Sequence, residues 1–376
     1  MAGIYIHIPF CKQACHYCNF HFSTSLKHKS DLVEAICTEL TLRKEEITSV
    51  ETLYFGGGTP SVLSRDELEL ILDCIFENYN TSALSEVTLE ANPDDLDGVF
   101  LRELEASAIN RLSIGVQSFF DVDLEWMHRA HSARLAADSI KLAQDIGFEQ
   151  MTIDLIYGSP TTSDEMWAKN LDTWLDLGIP HLSAYALTVE PKTALEVMIQ
   201  KGKSRSVEDA TAVRQLQYLQ NWAATNHISH YEISNLCRAS NYAKHNSNYW
   251  TGQPYLGIGP SAHSYDGATT RRWNIANNIQ YIQQIKEKTL FWEEEYLSPT
   301  DLHNEYIMTR LRTTWGVNLS AYATKFGSAW RNQLEAAIEP FTQQQLINVK
   351  DGAVVLTPKA LPISDSIIAE LFIDKD

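Results

Sequence analysis

The 376-residue chain is 44% hydrophobic and 21% charged, the balance of an ordinary globular protein and not of a disordered, collagenous or disulfide-stapled one. Its 48 Asp and Glu against 30 Lys and Arg leave a formal charge of −18, which repels polyanions at long range and excludes a general tRNA or DNA binder. The opening residues MAGIYIHIPF lack the parts of a secretory signal, and no apolar run reaches the roughly 18 to 20 residues of a membrane span, so a cytoplasmic protein is expected.

In chain order, short β-rich runs are predicted at residues 4–8, 52–55, 86–90, 111–116, 152–156 and 181–186, with a weaker one near 230–233. Helical periods fall between them at 31–47, 65–79, 96–106, 133–146 and 164–177, several preceded by Ser, Thr or Asp. This alternation predicts an α/β fold, a partial TIM-like (β/α)6 barrel, over residues 1–235. Residues 236–299 read as a loop-rich segment that completes the site. Residues 300–376 read as a small, mostly helical accessory domain with a strand-like stretch at 353–356 and a last helix running to Lys375.

In a parallel barrel the reactive groups sit where strands end, so the residues after each strand carry the chemistry. After the first come Cys11, Cys15 and Cys18; after the second, the turn GGGTP at 56–60; then Glu90 and Asn92, Gln117 and Ser118, and Asp154. Six cysteines are too few for a disulfide scaffold, and three crowded into one loop point to a metal. Structural zinc takes four protein ligands, usually from paired clusters, and Cys37, Cys74 and Cys237 stand isolated. Three cysteines without a fourth suit a [4Fe–4S] cluster with one open iron, while zinc and plain core cysteines stay as alternatives. His16 adjoins Cys15 and is free to point away from such a centre.

The spacing Cys11-x3-Cys15-x2-Cys18, with Tyr17 before the last cysteine and GGGTP following, resembles the radical S-adenosylmethionine (SAM) superfamily. YIHIPFC at 5–11, LEANP at 89–93, GVQS at 115–118, HRAH at 128–131, DLIYG at 154–158 and YEISN at 231–235 resemble, in order, its oxygen-independent coproporphyrinogen III oxidase-like family. The resemblance implies that Cys11, Cys15 and Cys18 hold a [4Fe–4S] cluster. It implies that Tyr5, Tyr17, Gly57, Gly58, Thr59, Glu90, Gln117, Arg129, Asp154 and Ala186 line the SAM region. Such carboxylates accept from an ammonium or ribose hydroxyls, and an arginine grips a carboxylate in two places; internal ion pairing is the bland alternative for Glu90, Arg129 and Asp154.

Two features separate the chain from the true dehydrogenases of that family. Phe20 stands where they carry a further cysteine, and only ten residues precede Cys11 where they carry an arm that helps enclose substrate. Both argue against oxidative decarboxylation of coproporphyrinogen III. HNSNYW at 245–250 instead matches the HNxxYW pattern of the family's heme chaperone branch, which makes His245 the candidate axial ligand for heme iron, with a hydrogen-bonded structural histidine as the plain alternative. Arg271, Arg272, Arg310 and Arg312 are candidates for porphyrin propionates, or else surface and domain-contact charges.

The expected function is therefore a heme chaperone that binds heme or another tetrapyrrole and passes it to an acceptor hemoprotein. Its cofactors are a [4Fe–4S] cluster, SAM and heme. An electron donor is expected as a partner, nucleic acid is not, and contact with a membrane hemoprotein would be peripheral. The alternative is an enzyme, coproporphyrinogen III dehydrogenase, or a radical SAM enzyme acting on another tetrapyrrole. A tRNA-modifying radical SAM enzyme conflicts with the −18 charge.

Overall fold

The computed structural model describes residues 2–374. Six strands, β1 (Ala2–Ile8), β2 (Val50–Gly57), β3 (Glu86–Ala91), β4 (Arg111–Gln117), β5 (Met151–Tyr157) and β6 (His181–Ala186), pair in chain order and run parallel. The crossovers carry α1 (Lys29–Leu42), α2 (Arg65–Asn78), α3 (Gly98–Glu105), α4 (Asp121–Met127), α5 (Ala133–Ile146) and α6 (Asp164–Asp176). Four of these helices start at a side-chain cap. Ser64 and Glu67 form a reciprocal capping box on α2, Asp97 caps α3, and Ser132 and Ser163 cap α5 and α6. Helix α1 stops at Leu42, short of the expected 47, because Arg43 turns inward to pair with Glu39 and Glu46.

Alternation along each strand divides the barrel into an oily outside and a polar inside. Ile4, Ile6, Leu53, Phe55, Val87, Leu89, Leu112, Ile114, Ile153, Leu155 and Leu182 join one core against the helices. The intervening residues, Tyr5, Thr52, Tyr54, Thr88, Glu90, Arg111, Ser113, Thr152, Asp154, His181 and Ser183, face the other way. Apolar burial thus holds the shell together, and the interior is left for polar ligand recognition.

After β6 come α7 (Ala194–Gln200), α8 (Asp209–Thr225), β7 (Ser229–His230), β8 (Asn235–Cys237), α9 (Lys244–Thr251), β9 (Tyr255–Ile258), β10 (His263–Tyr265), β11 (Thr270–Asn274), α10 (Asn278–Lys286) and β12 (Trp292–Tyr296). The segment 236–299 is therefore not the loop-rich stretch expected. Its strands extend the sheet beyond β1 in the order β9-β10-β11-β12, while β8 and β7 extend it beyond β6, giving twelve strands with two edges. Tyr281, Ile282 and Ile285 of α10 pack into the barrel's own core, so this segment folds with the barrel. Its signal was faint in sequence because these strands are short and edge-lying, with few apolar positions each.

The C-terminal unit comprises α11 (Pro299–Leu311), β13 (Val317–Asn318), α12 (Leu319–Phe326), α13 (Ser328–Gln343), β14 (Ile347–Lys350), β15 (Ala353–Leu356) and α14 (Ser364–Glu370). It is mostly helical, with a three-stranded sheet in the order β13-β15-β14, and has a separate core that includes Ile307, Leu311, Val317, Ile338, Val354 and Ile367. The last helix ends at Glu370; the expected limit at Lys375 lies outside the described residues.

Candidate functional site

The cysteine loop is clamped at its base. Cys11 N–H donates to Ser23 O at 3.1 Å and Ser23 N–H to Pro9 O at 2.9 Å, which closes the loop on itself. Gly58 N–H donates to Ile8 O at 2.9 Å and Thr59 N–H to Phe10 O at 2.7 Å, which binds it to the GGGTP turn. That approach needs glycine. A Cβ at Gly58 would lie 2.6 Å from Phe10 O, and Gly57 sits at φ +110°.

Below the loop the barrel opens into a cavity of about 490 Å³, of the size that small-molecule sites take. Cys11, Cys15, Cys18, Tyr17, Gly57, Gly58, Thr59, Glu90, Gln117, Arg129, Asp154 and Ala186 all line it, so residues spread from the first strand to the sixth meet on one cavity. Gln117 reaches it through an irregularity at the end of β4 that leaves its backbone at φ 70°.

Arg129 is the hub. Its Nη1 donates to Cys15 Sγ at 3.2 Å and its Nη2 to Asn92 Oδ1 at 2.6 Å and Gly115 O at 2.7 Å, while Nε is buried without a partner. Thr59 Oγ1 donates to Cys11 Sγ at 3.5 Å, yet burial still pushes the Cys11 thiol up to about 11. Glu90 accepts from Tyr54 O–H at 2.7 Å and Gly57 N–H at 3.2 Å; burial outweighs both and raises its carboxyl to about 7. Burial likewise lifts Asp154 to about 6. Two carboxyls held above their ordinary range on the wall of this cavity are ready for a cationic ligand, which would draw both back to the charged form.

Three thiols, Cys11, Cys15 and Cys18, open on the same cavity, a donor set that suits a [4Fe–4S] cluster with one open iron.

Two expected site residues lie elsewhere. Tyr5 does not line the cavity: its hydroxyl engages His7 Nδ1 at 3.1 Å and its ring stacks on Tyr54. His245, the candidate axial ligand for heme iron, is only 2% exposed in the floor of the barrel. Its Nδ1 meets Thr52 Oγ1 and its Nε2 meets Tyr249 O–H, both at 2.8 Å, and its ring stacks on Tyr54 at 5.1 Å. Both ring nitrogens are thus engaged inside the barrel floor, the arrangement of the hydrogen-bonded structural histidine named as the plain alternative. The arginines are also engaged. Arg271 pairs with Glu305, Arg272 with Glu294 and Glu46, and Arg312 with Asp365, while Arg310 caps Thr251 O at 3.0 Å.

Asn92, Ser113 and Tyr185 line the cavity without having been singled out as ligands. Ser113 was legible, since it alternates between Arg111 and Gly115 on the inward face of β4. Tyr185 was not, because its exposure depends on where β6 ends.

A family model described as the radical SAM superfamily matches residues 5–173, and one described as the HemN C-terminal domain matches residues 297–363. The chain is 34% identical over 362 residues to the heme chaperone HemW of Bacillus subtilis (strain 168), covering 95% of each chain. It is 33% identical over 328 residues to the mouse radical S-adenosyl methionine domain-containing protein 1, mitochondrial, covering 84% of this chain and 74% of that one. Among solved structures, coproporphyrinogen III oxidase (HemN) from Escherichia coli superposes with a TM-score of 0.85 over 99% of this chain and 90% of that one, at 22% identity, which makes the fold the same. With two family domains in order and one-third identity along almost the whole of both chains, this protein belongs to the HemN-like family of the radical SAM superfamily, beside the HemW proteins.

Proposed function

We propose that this protein is a heme chaperone, which binds heme and passes it to an acceptor hemoprotein while carrying a [4Fe–4S] cluster and SAM at the rim of its barrel. The observation that carries the reading is the likeness to HemW over 95% of both chains. A second agrees with it: Phe20, which replaces the further cysteine of the dehydrogenases, stands 69% exposed at the cavity mouth.

In this reading Cys11, Cys15 and Cys18 hold the cluster and Tyr17, Gly57, Gly58, Thr59, Glu90, Gln117, Arg129, Asp154 and Ala186 hold SAM. Bound there, the two supply one-electron chemistry. The chain's own part is placement. Arg129 neutralises charge at Cys15 and ties it to Asn92, and Gly57 and Gly58 let backbone polar groups come close. Glu90 and Asp154 take the ammonium or ribose end, and the clamped loop holds the thiols over the cavity. An electron donor has to meet the same rim. Among the described residues no helix is long and apolar enough to cross a membrane, so contact with a membrane hemoprotein would be peripheral.

The test is anaerobic. The cluster is reconstituted, then heme is titrated and coproporphyrinogen III conversion is assayed in parallel. Saturable heme uptake without turnover is expected; conversion to protoporphyrinogen would replace this reading with the dehydrogenase one. Replacing Cys11, Cys15 and Cys18 together is expected to abolish iron–sulfur absorption.

A further inference from the structure

With His245 enclosed, the heme iron needs another ligand, and two histidines outside the cavity are built to provide one. His16 lies between Cys15 and Tyr17 in the cysteine loop; His128 ends α4, next to Arg129. Their rings stack 4.8 Å apart and within 5° of parallel. Each is held by the same device. His16 Nδ1 lies 3.0 Å from Trp126 O and His128 Nδ1 lies 2.8 Å from Ala14 O. A carbonyl oxygen only accepts, so each Nδ1 carries a proton, and the neutral form of each ring has its lone pair on Nε2. That is the tautomer in which imidazole ligates iron, with the backbone carbonyl as its orienting partner. Among the described residues nothing meets either Nε2, and His128 is exposed.

The placement is held at some cost. His128 has φ 61°, a left-handed position that glycine takes without strain and a histidine keeps only when its surroundings hold it there. Those surroundings are specific: Gln13 Nε2 donates to His128 O at 2.8 Å, His16 N–H to Met127 O at 3.2 Å, and Leu195 N–H to His16 O at 2.8 Å. The last bond brings α7 alongside.

Half-buried Trp126, with Ile199 of α7, lies over a small apolar cluster separate from the main core, in which Met127 and Leu195 are fully buried. Trp126 Nε1 donates to Ser204 Oγ at 3.1 Å, which brings the segment after α7 beside it. That segment carries Lys201, Lys203 and Arg205, and among the described residues none of them is in an ion pair. In a chain of charge −18, three unpaired cations within five residues stand out as partners for propionates.

We infer that the His16–His128 pair is the heme-iron site of this protein, with one Nε2 on the iron and the basic segment 201–205 toward the propionates. The inference rests on the heme chaperone reading and gives that reading its site. Heme held there lies one residue from Cys15 in the chain, beside the cluster and outside the barrel, where an acceptor can reach it.

The test titrates hemin into the full, cluster-reconstituted chain. The double variant His16→Asn, His128→Asn keeps an amide N–H for each carbonyl, and asparagine tolerates the left-handed backbone at 128. Its low-spin imidazole spectrum is expected to vanish, its hemin affinity to fall at least about tenfold, and added imidazole to restore the spectrum. Unchanged iron–sulfur content shows that the loop remains clipped. A measurement free of folding effects runs beside it: hemin should protect His16 or His128 of the wild-type chain from diethylpyrocarbonate. An unchanged heme spectrum in the double variant, or protection only at His245, overturns the inference and leaves the chaperone reading standing. No hemin uptake by the wild-type chain overturns both.

Discussion

Glu90 and Asp154 carry the sharpest pH signature. Burial raises them from ordinary values of 4.5 and 3.8 to about 7 and about 6. The ligand-free native state therefore holds these protons more tightly than the unfolded chain does. Their contribution to stability is full below the ordinary carboxyl range and is lost as pH rises through about 6 and about 7. Thermal melts of the ligand-free protein are expected to drop across that window, and Glu90→Gln with Asp154→Asn to flatten the drop. Binding of a cation reverses the sign. SAM affinity should climb over the same window, with Glu90→Gln weakening it by about tenfold at neutral pH. Equal affinity on both sides of the window would remove Glu90 and Asp154 from the ammonium and ribose end.

Two elements each depend on a single residue. Helix α9 has no side-chain cap of its own; Glu86 of β3 accepts from Lys244 N–H at 2.9 Å and His245 N–H at 2.8 Å, and faces Arg111 across 3.8 Å. Removing it strips a helix N-terminus and leaves a buried guanidinium short of its anion. Glu86→Ala is expected to cost about 3 kcal/mol in urea unfolding and Glu86→Gln less than half as much. The GGGTP turn depends on Gly58 in the same way. Gly58→Ala forces the cysteine loop off Phe10, so it should cost about 2 kcal/mol and lower the iron retained after reconstitution, with the far-UV spectrum unchanged. Full iron content in that variant would show that the close approach does not position the thiols. Here the structure explains the HNxxYW stretch in a way its sequence did not. His245 and Tyr249 build the barrel floor, and through Tyr54 the floor supports Glu90.

At the scale of the whole molecule, two cores meet through an aromatic joint. Trp315, from the C-terminal unit, packs on Tyr231 at 5.9 Å and Tyr242 at 5.7 Å, and Thr314 N–H donates to Tyr231 O at 2.9 Å. Tyr231 continues inward to His181 Nε2 at 2.7 Å, so the joint leans on the same polar floor that holds α9. Trp315→Ala is expected to remove about 3 kcal/mol from the contact and to split one calorimetric transition into two, the C-terminal unit melting first. A single, unshifted transition would mean that the two cores fold as one without the joint.

The sequence by itself determined the order of βα units, the loop that carries the three thiols and the family, because these depend on local period, turn chemistry and motifs that sit close together in the chain. Most of the residues that line the cavity were legible for the same reason: they sit at or just after the ends of successive strands, and strand ends of a parallel barrel share one rim. Tertiary structure alone decided which histidine is enclosed and which is open. A histidine's role is set by what meets its two nitrogens, and those partners, Thr52 for His245, Trp126 for His16 and Ala14 for His128, come from far along the chain. It alone also made residues 236–299 part of the barrel, since short edge strands gain their stability from the sheet they join and show little of it in their own composition.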